Sequence, residues 1–147
     1  MVKEFCLAWE KNKDKLKDYL ANTSQTEYGE YESLVKLIFD LVINPEIDID
    51  TIWHHNSRFA TDDITVIDHG DYQGSLIFIL HRNRYQPCVT DYVYTSVEYG
   101  SCSCCDTLQS IYDPWNTPDG RPSQKQLDDY MTLCLHLLQN CVMMKEE

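Results

Sequence analysis

The sequence lacks long apolar runs and has few basic residues. No stretch approaches the roughly 20 apolar residues that a membrane helix needs. Lys and Arg together number 12 against 24 Asp and Glu, a formal net charge of −12. Proteins that bind DNA nonspecifically, or that are held on anionic lipid, need clustered Lys and Arg facing phosphates. The composition therefore argues against a membrane span, and against nucleic acid or a membrane surface as a direct partner.

We also expect the protein to have no secretory signal. The N-terminus, Met-Val-Lys-Glu-Phe-Cys, runs into a charged stretch without an apolar core or a small-residue cleavage site. The seven cysteines are an odd number, and without a signal we expect reduced thiols and a cytoplasmic location. Three of them, Cys6, Cys134 and Cys141, fall on apolar stripes of predicted helices, where cysteine behaves as a small buried hydrophobic residue.

Enough apolar residues are present to build a core. Hydrophobic residues make up 43% of the chain and aromatic residues 12%, so the high charge does not imply disorder. We expect one soluble domain spanning residues 1–147. Within it we expect a helical N-terminal part (1–44), a sheet with a cysteine-rich turn (62–112) and a C-terminal helix (122–145).

Apolar periodicity predicts three long helices. The first carries an apolar stripe that includes Phe5, Trp9, Leu16, Tyr19 and Leu20. For the second helix, Ser24 and Glu27 have the spacing of a capping box, and Asn44-Pro45 is expected to end it. The last helix is predicted to begin at Ser123, with capping-box spacing to Gln126.

Three strand-like runs lie between these helices, at residues 64–67, 74–80 and 89–99. Their short connections favour an antiparallel meander. The middle run is apolar at every position from Leu76 to Leu80, which predicts a strand buried on both faces. The predicted fold class is α+β: a small three-stranded antiparallel sheet with two N-terminal helices and a C-terminal helix packed on it.

The cysteine-rich turn after the third strand is the most unusual local feature. Cys102 and Cys105 form a C-x-x-C pair, with Cys104 between them. Such a pair can hold half of a zinc site, and Cys88 is the further candidate thiolate ligand. The remaining ligands would have to come from across the sheet; besides Cys88, the candidates are His69, His81 and Asp106.

Two other interpretations of this turn stay open. A C-x-x-C pair at a helix start can support thiol redox chemistry, because backbone N–H groups stabilise a thiolate. Alternatively the cysteines are small side chains in a tight turn, with Asp106 or Ser103 capping the next helix. No motif combines Cys102, His69 and Asp71 into a nucleophilic site, and the Asp68 to Asp71 loop lacks EF-hand spacing. We therefore predict that the protein is not an enzyme.

The negative charge is concentrated in the middle of the chain. Residues 21–120 contain sixteen acidic and four basic residues, a net charge of −12. An acidic surface can serve solubility alone, or it can dock on a basic protein surface, including a groove that holds nucleic acid. For docking, we predict contacts through six carboxylates: Glu27, Glu30, Glu32, Glu46, Asp48 and Asp50.

One stretch of the chain resembles a group of small, uncharacterised bacteriophage proteins. It runs from Gly70-Asp-Tyr-Gln-Gly74 through Leu76-Ile-Phe-Ile-Leu80 to Tyr94-Thr-Ser-Val-Glu-Tyr-Gly-Ser-Cys-Ser-Cys-Cys-Asp-Thr-Leu108. The group shares an Asp-Tyr-x-Gly hairpin and a Tyr-Gly-Ser-Cys-Ser-x-Cys-Asp turn. The resemblance implies a phage or prophage origin and action in an infected bacterium, but no activity. By analogy with anti-CRISPR proteins, we expect an inhibitor of a host protein, such as a nucleic-acid-handling defence enzyme.

Overall fold

The computed structural model describes residues 2–47, 57–71, 73–102, 104 and 106–145, which form an α+β fold. The helices are α1 (Val2–Ala21), α2 (Tyr31–Ile38), α3 (Thr107–Ile111) and α4 (Gln124–Gln139). The strands are β1 (Thr65–Gly70), β2 (Gly74–His81), β3 (Tyr92–Tyr99) and β4 (Val142–Met143). A π-helical turn, Phe39–Ile43, continues α2, and 3₁₀ turns lie at Gln25–Tyr28, Asn44–Glu46, Val89–Asp91 and Pro118–Gly120.

The sheet is antiparallel with the order β1-β2-β3-β4. The prediction of three strands was therefore one strand short. The additional strand, β4, pairs with Val93 and Tyr94 of β3 directly after α4 ends. A strand of two residues is too short to show an alternating pattern, and its pairing depends on where α4 delivers the chain.

Strand β1 is longer than the four-residue run that the sequence predicted. It continues through Asp68, His69 and Gly70, whose residue types are typical of turns. The strand ends where Gly70 pairs with Gly74. Gly70 has a φ of 155°, and a Cβ atom there would collide with the Gln73 carbonyl oxygen. Glycine is required at this point for the chain to reverse into β2.

The helices pack on one face of the sheet. On that face Phe78, Leu80 and Val93 are 0–1% exposed, and they join the apolar stripes of α1, α2 and α4 in one core. Ile77 and Ile79 point to the other face and are only half-buried. The prediction that this strand is buried on both faces was wrong. Within the described ranges, only one face of the sheet is covered by helices, as is common for antiparallel sheets.

The helix starts agree with the sequence in one case and differ in the other. At α4, Ser123 Oγ accepts from the Gln126 N–H at 3.2 Å, and the Ser123 N–H donates to Gln126 Oε1 at 2.8 Å, which confirms the capping box. Ser24 instead caps the short 3₁₀ turn Gln25–Tyr28. Helix α2 begins later, after Glu30, without a side-chain cap.

One buried glutamine connects the two halves of the chain. Gln25 is fully buried, and its amide nitrogen donates to the Asp113 carbonyl at 3.1 Å. Its Oε1 accepts from the Tyr130 hydroxyl at 2.7 Å and from the Asp113 N–H at 3.1 Å. Because these bonds join residues far apart in sequence, they hold the segment after α3 against α4 and place α3 beside α2.

Two of the three cysteines that were predicted to lie in the core are fully buried. Cys134 is 0% and Cys141 2% exposed, and burial raises the pKa of each thiol to about 12. Cys6 is partly buried against the core. The two buried thiols are structural, since a thiolate, the reactive form, is strongly disfavoured there.

None of the helices in the described residues is both long and apolar enough to span a bilayer.

Candidate functional site

A groove of about 370 Å³ opens between the start of α2, α3 and the edge of the sheet. Its lining is mainly apolar and comes from three separate parts of the chain. These residues are Gly29, Glu30, Tyr31 and Glu32 before and in α2, Val66, Leu76 and Phe78 in the sheet, and Asp106, Leu108, Gln109 and Tyr112 around α3. We call it the acidic groove.

Among the residues that the structure describes, carboxylates alone supply charge to the acidic groove. Glu30 and Glu32 are exposed at its mouth, and Asp106 is buried in its floor. No lysine, arginine or histidine belongs to its lining among the described residues. On the sheet side, Asp68 lies beside Leu76 in the strand register and is exposed. The groove is therefore an apolar surface with an uncompensated negative rim.

Glu30 and Glu32 are available to a partner. Glu30 precedes α2, but its side chain makes no capping hydrogen bond. Neither carboxylate forms an ion pair with any residue that the structure describes. Carboxylates in this situation remain hydrated and interact with cations brought to them.

The floor of the groove is held by a buried network around Asp106. The Tyr31 hydroxyl donates to Asp106 Oδ1 at 2.7 Å and accepts from the Leu108 N–H at 3.0 Å. The same carboxyl accepts from the N–H groups of Gln109 and Gly100, both at 3.2 Å. Of the two caps that the sequence offered, Asp106 or Ser103, it is Asp106 that caps the helix after the cysteine turn. The network fixes α2, α3 and the end of β3 around the groove.

A tyrosine ring closes one side of the groove. A Cβ atom at Gly29 would lie 2.9 Å from the Tyr112 ring, so only glycine lets the chain before α2 approach this ring so closely. The ring of Tyr112 remains partly exposed. Aromatic side chains at such half-open positions are enriched in protein interfaces.

On the sheet, the Tyr99 hydroxyl donates to Asp68 Oδ1 at 2.5 Å. This hydrogen bond raises the pKa of Tyr99 to about 12, with a further contribution from the charge of Asp68. Asp68 belongs to β1 and Tyr99 to β3, so the bond crosses β2. It fixes the position of a carboxylate whose neighbour in the strand register, Leu76, lines the groove.

The six predicted contact residues do not form one surface. Glu30 and Glu32 share the acidic groove, while Glu27 borders a different depression with Lys36 and Asp40. The carboxylate of Glu46 accepts from Asn12 at 3.1 Å and pairs with Lys11 at 3.2 Å.

The carboxylate of Glu46 is therefore already bonded to groups of the protein itself. Glu46 also lies fourteen residues after Glu32 along a nearly continuous helical segment, so the two residues are roughly 20 Å apart. The other two predicted contacts, Asp48 and Asp50, lie outside the described residues.

The structure brings only part of the predicted metal site together. The Sγ atoms of Cys102 and Cys104 are 3.6 Å apart, and Cys105 lies outside the described residues. Cys88 precedes β3 and Cys102 follows it, so they lie at opposite ends of a strand roughly 25 Å long. Across the ranges that the structure describes, no group of three or more His, Cys, Asp or Glu side chains is arranged to hold a metal ion.

The histidines proposed as ligands have other surroundings. His81 Nε2 lies 3.0 Å from Asp63 Oδ2, and its Nδ1 lies 2.8 Å from the Arg82 carbonyl oxygen. His81 ends β2 on the side away from Cys102, while His69 is exposed in β1. Asp106 is engaged in the buried network.

The most informative site residues were not found from the sequence. Tyr31 and Val66 look like ordinary apolar positions, and Tyr112 follows a short helix without a motif. They meet only because α2, β1 and α3 pack side by side. The isolated Gly29 was the one available signal, since a lone glycine can mark close backbone approach.

Compared with protein-family models, with curated proteins and with solved structures, the chain shows no significant match.

Proposed function

We propose that this protein acts by binding another protein, and that the acidic groove receives an apolar side chain of that partner flanked by lysine or arginine. The observation that carries the proposal is the composition of the groove, a mainly apolar lining whose charged groups, in the described part of the chain, are all carboxylates. An apolar surface gains free energy when it leaves water, at about 25 cal/mol per Å². The carboxylates add selectivity, because complementary charges speed and orient association.

The floor of the groove is suited to binding because it is preformed. Phe78 is 1% exposed, and both Tyr31 and Asp106 are 6% exposed, with their polar atoms satisfied within the protein. A partner would therefore bind a rigid surface, and binding would carry no entropic cost for ordering that surface. The negative rim would also repel acidic competitors.

The partner class follows from the charge. A basic protein surface with an exposed apolar side chain is the complement of this groove, and the grooves of nucleic-acid-handling enzymes are rich in lysine and arginine. We propose that binding blocks such a surface on a host protein, in keeping with the resemblance to phage proteins. This protein then acts as an inhibitor without chemistry of its own.

Affinity capture with two double variants tests the proposal. The immobilised wild-type protein, Glu30→Lys/Glu32→Lys and Asp14→Lys/Asp18→Lys are each exposed to a bacterial lysate at low and high salt. The control pair makes the same charge change on the exposed side of α1. We expect a salt-sensitive protein that the wild type and the control retain and the groove variant loses.

Equal retention by all three proteins would show that the groove does not bind the captured partner. Retention by neither the wild type nor the control, at either salt concentration, would leave the acidic surface with a role in solubility only and would contradict the proposal.

The second candidate is a metal or thiol site at Cys102 and Cys105. The 3.6 Å separation between the sulfur atoms of Cys102 and Cys104 favours it, since thiolates that share a zinc ion must lie close together. Zinc analysis of the purified protein, beside Cys102→Ser/Cys105→Ser, tests it. One zinc per chain that the double variant loses would support the site, and zinc near zero in the wild type would remove it.

A further inference from the structure

In the part of the chain that the structure describes, strand β1 is an open edge of the sheet beside the acidic groove. It is the first strand in the order β1-β2-β3-β4, and no strand of the described residues pairs with its outer side. All six of its residues are exposed. An exposed edge presents unpaired N–H and C=O groups, which another extended chain can bond.

The strand also connects this edge to the groove. Successive side chains of a strand point to opposite faces, and Val66 lines the groove while Ile67 points away from it. The two residues are almost equally exposed, at 41% and 44%. An extended segment paired with β1 would place every second side chain on the groove side, next to Val66.

The charges around β1 select the occupant. Four exposed carboxylates border or belong to the strand, namely Asp62, Asp63, Asp68 and Asp71. Two copies of this chain that paired through β1 would bring these like charges together, which is destabilising across paired strands. Lysine and arginine on an added strand would have the opposite effect. The edge therefore fits a basic partner and disfavours a second copy.

We infer that the partner binds by strand addition: an extended segment with alternating apolar and basic residues pairs with β1, and one apolar side chain enters the acidic groove beside Val66. This inference rests on the proposed function, because it specifies how the basic partner engages the groove. Backbone hydrogen bonds would provide affinity, while the groove and the carboxylates would provide selectivity.

A defined peptide tests the mode of binding. The probe is acetyl-KVKVKVK-amide, and its control carries N-methyl groups on alternate residues, which remove backbone N–H donors without changing the charge. Fluorescence polarisation at low salt gives both affinities. We expect the parent peptide to bind and the methylated peptide to bind at least about tenfold more weakly, the loss expected when strand pairing is blocked.

Two matched variants test the position. Val66→Ser removes the apolar group on the groove side of β1, and Ile67→Ser makes the same kind of change on the opposite face. We expect Val66→Ser to weaken peptide binding about tenfold and Ile67→Ser less than twofold, with both proteins folded by circular dichroism. Equal effects of the two variants, or equal binding of the two peptides, would overturn strand addition at β1.

Two further results separate this inference from the proposed function. Strand addition by a basic segment is wrong if the parent peptide fails to bind. It is also wrong if the protein sediments as a dimer that the peptide cannot dissociate, because β1 would then be occupied by a second copy. A partner captured by the wild type and lost by Glu30→Lys/Glu32→Lys would still support the acidic groove in either case. Loss of that capture result, with peptide binding retained, would instead contradict the proposed function alone.

Discussion

Two tyrosine–aspartate pairs, one in the acidic groove and one on the strands of the sheet, differ in burial. In the floor of the groove, Tyr31 donates to Asp106 at 2.7 Å, and both residues are 6% exposed. On the sheet, Tyr99 of β3 donates to Asp68 of β1 at 2.5 Å, where the carboxylate is exposed. The chemical groups are the same, but the buried pair also bonds the backbone of Gly100, Leu108 and Gln109.

Because of this difference in burial, the two pairs have different roles: the buried pair stabilises the fold, whereas the exposed pair leaves a carboxylate accessible to a partner. Burial raises the pKa of Tyr31 first, and the hydrogen bond to Asp106 adds to it, whereas the hydrogen bond itself is the main cause at Tyr99. A buried pair whose polar atoms are all satisfied is costly to break. An exposed pair is worth little to stability, so its carboxylate can be used for binding.

Removing the two carboxylates should show the largest contrast. Asp106→Ala leaves the Tyr31 hydroxyl, the buried Gly100 N–H and the part-buried Gln109 N–H without their acceptor and removes a helix cap, so we expect a loss of about 3 kcal/mol in the free energy of unfolding. Asp68→Ala is the control and should leave urea unfolding unchanged. Similar losses in the two variants would show that burial does not distinguish the pairs.

Removing the two tyrosine hydroxyls should again destabilise the protein more at the buried pair than at the exposed pair, but by less than removing the carboxylates. Tyr31→Phe keeps the ring but breaks the bonds to Asp106 and the Leu108 N–H, and we expect a loss of about 1.5 kcal/mol. Tyr99→Phe should not change the urea midpoint measurably. If Tyr31→Phe is as stable as the wild type, the network around Asp106 does not hold α2 and α3 together.

The exposed pair should be visible in alkaline titration. The pKa of Tyr99 is raised to about 12 by Asp68, above the usual value of about 10. The neutral phenol is therefore favoured in the folded state, and its contribution to stability, which exposure keeps small, is present below about pH 10 and is lost as the pH rises through 12.

Asp68→Asn should return the pKa of Tyr99 toward 10. Because the chain has ten tyrosines, the Tyr99 signal is obtained at 295 nm as the difference between each protein and the same protein with Tyr99→Phe. An unchanged pKa in Asp68→Asn would show that the 2.5 Å bond is not the cause.

The smallest effect is expected on the pKa of His81 when Asp63, a second exposed acid beside β1, is replaced. Hydrogen bonding to the Arg82 carbonyl, and then to Asp63, raises the pKa of His81. The protonated form is favoured in the folded state, so its stabilising contribution is complete below about pH 6.5 and is lost as the pH rises through the folded-state pKa. Asp63→Asn should lower the pKa of His81 in an NMR titration, and Asp62→Asn should lower it less. Equal shifts would remove the specific role of Asp63.

Several features of the fold could be predicted from sequence because their signals are local. The capping box at Ser123 and Gln126, the cap formed by Asp106 and the buried stripe of α1, apart from Tyr19, which is 39% exposed, all depend on residues a few positions apart. The strand β4 and the half-open face of β2 could not be predicted, since they depend on which elements pack beside them.

The candidate site shows the same limit. Glu30 and Glu32 were predicted as contacts from charge alone, but Glu46, taken from the same acidic region, is held at the surface by Lys11 and Asn12. Composition gives the amount of negative charge in a region. It does not give the partners of each carboxylate, because those come from helix α1.

By itself, the sequence determined the α+β class, the main helices, the antiparallel meander and the excess of acidic residues in the middle of the chain. Periodicity and composition encode these properties locally. Only the tertiary structure decided which carboxylates remain unpaired and that Gly29, Val66 and Tyr112 border one apolar groove beside an open strand edge. The physical reason is that a groove consists of surfaces from elements far apart in sequence, and packing alone determines which surfaces meet.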